Sequence, residues 1–583
     1  MALVDNAFYV DSVGYTAVGA WATGTVTAAG ALIRATAPAV NSERVFVCIV
    51  AGTTHATTQP TWVITRGAKT TDNTVTWQEC TGIAALNGDA TNTPSWTITA
   101  TPPGGVKNTV VTLGQVIKRD NGASYQICTT AGTAGNGAEP AFSDTAGTTT
   151  ADNTVTWTSL GVVGNFTGNQ APFPRLNPAL ATTWAPLGST LFVKSSHAES
   201  TSNNTNISGD GTRASPQRIL CHNGSAYPPL AANLTTGATL TNTASAWNLI
   251  GNYYVEGLSF ITSAAGATIP IGGVSTDQQY KNCTFTRGST TGGFTIGVTS
   301  SGNFGTFEFD NCTCSFANAN NVVGVHGGKV LWKNGTFFAG AAVPTGVFSN
   351  GAAIHQVHFE LHGVDLSAAG SGKTLFPTIT TFSGLYRMVN CKLNAAVTVA
   401  ATPASPSHRI EVVNCDSAGI NYRNEIYDYS GTLTTETTIV RTGGATDGVT
   451  PISWKIVTTG NAKFALPFVC PPIAIWNTST GSPVTATIEG VAASLPTDQD
   501  IWVEVEYLGD PATPRASYIS DAKATVLTTA ASQTTSSETW GGSTAEFKLA
   551  VTFTPQMKGF VHARVKVGAA SLTVYVDPKI TLT

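Results

Sequence analysis

Charge is scarce in this chain. Only 11% of its 583 residues are charged, and 30 Lys and Arg against 34 Asp and Glu leave a net charge of −4. A surface so poor in basic residues has no footprint for a phosphate backbone, so no nucleic acid is expected as a partner. Long apolar runs are missing as well. Hydrophobic residues reach 42%, enough for packed cores, yet no stretch approaches the 18 or more apolar residues of a membrane span, so no membrane partner is expected. The first residues, MALVDNAFYVDSVGY, carry acidic side chains early and lack a basic stretch followed by an apolar one. We expect no secretory signal. The ten cysteines are scattered without a paired C-x-x-C spacing. Buried free thiols in a protein folded in a reducing cytoplasm fit that usage. Helical periodicity is hard to find anywhere.

What is present is repetition. Between residues 250 and 420 one short pattern recurs seven times, as YVEGLSF, YKNCTF, FDNCTC, WKNGTF, LHGVDL, MVNCKL and VVNCDS. Its pivot is Gly257, Asn282, Asn311, Asn334, Gly363, Asn390 and Asn414, at intervals of 25, 29, 23, 29, 27 and 24 residues. Asn and Gly accept a left-handed backbone most readily, so each pivot reads as a tight bend ending a strand. Two residues before it stand Val255, Tyr280, Phe309, Trp332, Leu361, Met388 and Val412, and alternation puts them on a buried face. Just after it come Leu258, Cys283, Cys312, Gly335, Val364, Cys391 and Cys415, an interior ladder of small apolar side chains. A bend about every 25 residues is a solenoid signature, and the expected architecture is a right-handed parallel β-helix. A β-sandwich with Asn-rich turns competes, but antiparallel hairpins are not expected to keep a single Asn/Gly register.

A second repeat fills the first 165 residues. VFVCIVAGTTHATTQPTWVITRGAKTTDNTVTWQ matches YQICTTAGTAGNGAEPAFSDTAGTTTADNTVTWT at an offset of 80, pairing Cys48 with Cys128, Asp72 with Asp152 and Trp77 with Trp157. We therefore expect an all-β chain with two small tandem modules, 1–85 and 86–168, a Pro-rich linker at 169–188, the β-helix over 189–424, and a C-terminal antiparallel β-sandwich over 425–583. The last is read from strands such as DIWVEVEYLG, AEFKLAVTFTP and KGFVHARVKVG.

Candidate chemistry is sparse. On the outward columns of the solenoid, Glu308 and Asp310 are the acidic pair on one coil, the candidates for a glycosidase pair. Lys281 and Lys333 are expected on either side of Asp310, which would hold it ionised where a general acid needs the opposite shift. SAAGSGKT at 367–374 imitates a phosphate loop, but Ser367 replaces its first Gly and LFPTITTF, not a helix, follows. His355 and His358 form a lone H-x-x-H without a third ligand, so no metal and no cofactor is expected. Val389 and Val413 turn apolar in the last outward positions, which calls for a cover from the C-terminal domain or a neighbouring subunit. Trp77 and Trp157 are either core residues or exposed rings for docking or sugar stacking.

Together, GTT…QPTW…G…DNTVTW, the Asn/Gly solenoid and the DIWVEVEYLG…KGFVHARVKVG…LTVYVDPKI end resemble exterior virion proteins of tailed bacteriophages, the solenoid being similar to the pectate-lyase-like β-helices of tailspikes. The resemblance implies a homo-oligomer, usually a trimer, made in the host cytoplasm, built into the virion and contacting other virion proteins. Enzymatic tailspikes have longer solenoids with acidic clusters, so the leading expectation is a non-enzymatic structural component: head decoration, fibre or spike. Two alternatives stand beside it. One is a receptor-binding or polysaccharide-degrading tailspike with Glu308 and Asp310 in its cleft; the other is a carbohydrate-binding protein that engages host surface glycan.

Overall fold

The computed structural model describes residues 7–417 apart from 88, 90–92, 98–104, 167–169, 181–187, 204, 226, 265–267, 273–275, 289–292, 298–304, 350–356, 378–383 and 401–407; beyond 417 it describes mainly the backbone of the strands between Asn421 and Leu582. The chain forms two compact units, residues 1–298 with 302–321 and 339–342, and residues 299–301, 322–338 and 343–583.

In the first unit, strands from successive turns of chain stack in parallel on three sheets. One holds Thr190–Lys194, Gln217–His222, Trp247–Glu256, Asp277–Lys281 and Thr306–Asp310. Another holds Ala198–Thr201, Ala238–Asn242, Leu258–Thr262, Thr284–Arg287 and Thr313–Phe316. The third holds Thr205–Asp210, the start of Trp247–Glu256, Ile269–Ile271 and Gly293–Ile296. Such a stack of coils is a parallel β-helix, as the repeat predicts. Its interior is aromatic: Tyr280 stacks on Phe309 of the next coil at 5.2 Å, and Phe260 on Phe285 at 5.6 Å. One strand comes from far away in sequence, since Ala7–Val10 pairs in parallel with Thr190–Lys194, placing the two N-terminal repeats between neighbouring strands of one sheet.

The second unit continues the same local pattern. Gly328–Lys333, Val357–His362, Gly384–Val389 and His408–Ser417 are parallel and in register. Order then turns antiparallel. Asn421–Tyr429 folds back on His408–Ser417 and is followed by Thr437–Gly443 and Ile452–Thr458. Thr573–Leu582 pairs with Ile452–Thr458 and Val484–Ala492, and a separate three-stranded sheet has Gly559–Val567 at its centre.

The seven pivots all have positive φ: 82° at Gly257, 53° at Asn282, 52° at Asn311, 58° at Asn334, 64° at Gly363, 53° at Asn390 and 51° at Asn414. In both units bends present their N–H along the stacking direction. Gly257 donates to Lys281 O at 2.9 Å and Asn282 to Asp310 O at 3.0 Å; in the second unit Gly363 donates to Val389 O at 2.9 Å and Asn390 to Val413 O at 3.0 Å. The asparagines add a side-chain ladder, Asn311 Nδ2 to Asn282 Oδ1 at 2.7 Å and Asn414 Nδ2 to Asn390 Oδ1 at 2.8 Å. Cys283, Cys312, Cys391 and Cys415 follow as buried free thiols, each donating to the carbonyl just before its own bend.

The two repeats each build a four-stranded antiparallel sheet, with Cys48 opposite Trp77 in one and Cys128 opposite Trp157 in the other. A buried aspartate organises each. Asp72 Oδ2 accepts from the indoles of Trp21 (2.7 Å) and Trp77 (3.2 Å), and Asp152 Oδ2 from those of Trp96 (2.9 Å) and Trp157 (3.1 Å). The other oxygen takes a backbone N–H at 2.8 Å, from His55 and Gly135 respectively. Glu79 is fully buried in the first repeat, where it accepts from Gly67 N and Thr81 N; burial outweighs those bonds and pushes its carboxyl up to about 7.

Replacing Asn311 by Val puts a β-branched residue into the left-handed region and should destabilise the first unit by about 1–2 kcal/mol. Thermal or denaturant unfolding checks this, and Asn311→Gly, which keeps the bend, should cost less. For Glu79 the folded pKa lies above the ordinary 4.5, so the native state holds the extra proton between those values. Stability should therefore be fullest below about pH 4.5 and fall as pH rises through about 7. Melting curves across that window should show the slope, and Glu79→Gln should flatten it.

Candidate functional site

Alternation along each strand divides the solenoid residues into a buried set and an outward set. In the first unit Tyr253, Val255, Gln278, Tyr280, Phe307 and Phe309 point inward and are buried. Gln278 is the polar exception, and it is satisfied by Leu249 O at 3.1 Å and the Tyr280 hydroxyl at 2.8 Å. The rows that remain are Tyr254, Gln279 and Glu308, and beside them Glu256, Lys281 and Asp310, each aligned across three strands; Glu256 is covered and buried, while the others reach the surface.

This face has an apolar border. Tyr254, together with Tyr227 and Leu234, packs against a buried cluster that includes Tyr9, Phe192 and Leu220, and remains half-exposed. Its hydroxyl donates to Glu256 Oε2 at 2.7 Å, and burial, followed by that hydrogen bond and the carboxylate's charge, raises its pKa, so it stays a donor. Lys281 Nζ lies 3.2 Å from Glu256 Oε1. Lys281 also sits opposite Asp310 in the register, and Glu308 and Asp310 are both half-buried at the outer surface. The backbone positions of Glu256 and Asp310 are two strand spacings apart, roughly 10 Å. A flat face with an aromatic ring at its edge and alternating carboxylate, amide and ammonium groups can stack a sugar ring and hydrogen-bond its hydroxyls.

The outward face of the second unit carries different chemistry. Val357–His362 presents His358, Glu360 and His362 at alternate positions, with Lys329, Leu331 and Lys333 aligned on one side and Leu385, Arg387 and Val389 on the other. The Glu360 carboxylate bonds both imidazoles, one oxygen to His358 Nε2 and the other to His362 Nε2 at 2.6 Å. Burial pushes the Glu360 carboxyl up, but the two imidazole bonds outweigh it and hold the group below its usual range. Arg387 Nε lies 3.2 Å from Glu411 Oε2. The sequence reading pairs His358 with His355, which lies outside the described residues. The informative signal is H-x-E-x-H, since on a strand residues i, i+2 and i+4 share a face.

Other sequence candidates find structural uses. Trp77 and Trp157 are completely buried, so the exposed reading is corrected: both indoles bond an aspartate within the repeat cores and offer no ring to a ligand. The SAAGSGKT segment is a turn before the short strand Thr374–Phe376, and Lys373 Nζ is engaged by Val343 O at 2.8 Å. Among the described residues no cluster of three or more His, Cys, Asp or Glu is arranged to hold a metal ion, and no helix is long and apolar enough to cross a membrane.

No protein-family model matches the chain, and no curated protein matches it. Among solved structures it is similar to the enzymatically active domain of tailspike protein 4 from bacteriophage CBA120, with 13% identity over 98% of this chain and 89% of that one, and a TM-score of 0.24. At that score the likeness carries no residue correspondence. It does correct one expectation. The matched structure is titled an enzymatically active domain, so the reading of a non-enzymatic chain is not retained.

Proposed function

We propose that this chain is a receptor-binding spike protein of a tailed bacteriophage that engages, and cleaves, a polysaccharide on the host surface. The observation that carries this reading is the outward face of the first unit, where Tyr254 borders the aligned rows of Gln279, Glu308, Glu256, Lys281 and Asp310. A polymer laid across the coils meets a different pair of side chains at each strand spacing of about 4.8 Å. Tyr254 supplies an apolar ring face, while Gln279 and Lys281 supply donors. Glu308 and Asp310 are the carboxylates we assign to glycosidic cleavage, a reaction that needs a carboxylic acid and a carboxylate flanking the bond. Rigid β-strands hold all of these groups, so the face is set before the ligand arrives and loses little freedom on binding.

Binding of surface polysaccharide to the purified chain tests the proposal directly. Tyr254→Ala should weaken binding roughly tenfold, the equivalent of about 1.4 kcal/mol. Glu308→Gln with Asp310→Asn should abolish release of reducing ends while polymer still binds; undiminished cleavage by that double variant would remove both residues from the chemistry. Immunogold electron microscopy of intact particles should place label at the tail tip. Label spread over the capsid would overturn the spike assignment.

A further inference from the structure

Strand alternation that turns Cys221 inward turns His222 outward, onto a part of the first unit's sheet that other segments cover. Its ring lies edge-on to Phe192 at 6.0 Å and to Tyr227 at 5.7 Å, and its backbone bridges to Leu234. Tyr9 closes the cluster from the N-terminal strand, stacked on Phe192 at 5.6 Å and edge-on to Tyr227 at 5.1 Å. His222 is completely buried there, and neither ring nitrogen has a hydrogen-bond partner among the described residues. A neutral imidazole carries one N–H and one lone pair, so the closed cluster leaves a donor and an acceptor unused. An imidazolium would be worse placed. It would bury a full charge, and Lys194 is aligned with it on the next strand. That ammonium is fixed, donating to Gly224 O at 2.6 Å and lying 5.9 Å from the centre of the Tyr227 ring. Burial, followed by the charge of Lys194, lowers the His222 pKa to about 3.

We infer that His222 is an acid-sensitive latch: a proton on its imidazole expels the ring from the aromatic cluster, lifts the segment carrying Tyr227 and Leu234 off the sheet and slackens the packing of Tyr254. Tyr254 leans on the same cluster, so the latch regulates the edge of the polysaccharide face, a consequence that rests on the reading above. The charged and titratable groups around the cluster are Lys194 and Glu256 from the sheet, Tyr227 from the covering segment, Tyr9 with Asp89 from the N-terminal side, and Asp11, whose charge acts on Tyr227. Glu256 accepts from Tyr254 and lies against Lys281, and Asp89 accepts from Tyr9. No carboxylate bonds the imidazole, so nothing in the closed state favours its charged form. Once open, the ring meets water and titrates near the ordinary 6.5. The closed state is therefore fully stable above about pH 6.5 and loses that stability as the pH falls toward about 3. Opening takes up one proton, so the open fraction grows about tenfold for each pH unit within that window.

Hydrogen exchange on the intact chain reads the open fraction once the intrinsic pH dependence of amide exchange is divided out. The reporter is the segment 227–235, in which Thr235 N–H bonds Cys221 O at 3.1 Å. Its protection should fall about tenfold per unit from about pH 6 to about pH 4, while the solenoid strand Thr306–Asp310 keeps its own. His222→Phe retains an aromatic ring but binds no proton, and should hold protection flat; His222→Gln, with a smaller side chain, should do the same if the phenyl ring disturbs the fold. Hydroxyl-radical labelling over the same range should show Tyr227 and Tyr254 becoming accessible together. Flat protection in the wild-type chain, an equal loss in a folded variant, or a loss that includes Thr306–Asp310 and so reports unfolding rather than a latch, overturns the inference. Labelling of Tyr227 that rises while that of Tyr254 stays constant overturns the regulation of the polysaccharide face. No polymer enters these measurements, so their outcome is independent of whether the chain binds one.

Discussion

Parallel strands in a β-helix can satisfy their backbone only through the coils on either side, so the fold depends on every coil turning at the same height. The left-handed bends enforce this. At Gly257, Asn282, Gly363 and Asn390 the backbone N–H of the bend bonds the carbonyl just before the next bend, and a residue unable to adopt positive φ would forfeit that bond as well as add strain. Asparagine contributes more than glycine, because its side chain continues the ladder from Asn311 to Asn282 and from Asn414 to Asn390. The thiols that follow are small enough to remain inside the turn, and each finds a carbonyl there.

With the backbone satisfied along the stack, the outward side chains of the same strands carry little of the structural burden. That is why a chain with so few charges can concentrate several of them on an outer face. Inward neighbours such as Tyr280 and Phe309 hold the strands in position by stacking, and the outward residues between them inherit that rigidity. The two faces differ in chemistry although they share a framework. One is a Tyr-bordered array with Glu256, Lys281, Glu308 and Asp310; the other is a His–Glu–His row edged with lysines.

The N-terminal repeats solve a different problem by a similar economy. A buried carboxylate is costly unless its oxygens are occupied. Asp72 and Asp152 each accept two indole N–H groups and one backbone amide, so the acid and the aromatic core satisfy one another. Duplication preserved this arrangement closely enough that Trp62 against Trp77 and Phe142 against Trp157 meet edge-on in both copies.

Local rules in the sequence determined the all-β class, the parallel coil repeat and the positions of the bends, because φ at Asn or Gly and strand alternation are properties of a few adjacent residues. The outward location of Glu308 and Asp310 was legible for the same reason. Contacts between distant residues were decided only by the tertiary structure. Pairing of Ala7–Val10 with Thr190–Lys194 joins segments some 180 residues apart, and nothing in AFYV specifies that partner. DNTVTW marks a repeated turn and strand, but whether its Trp faces solvent or core depends on Trp21 and Trp96 arriving from outside the motif to share the aspartate. Likewise the H-x-E-x-H spacing puts three side chains on one face, whereas the lysines aligned with the two histidines come from another coil, through register that short-range sequence does not encode.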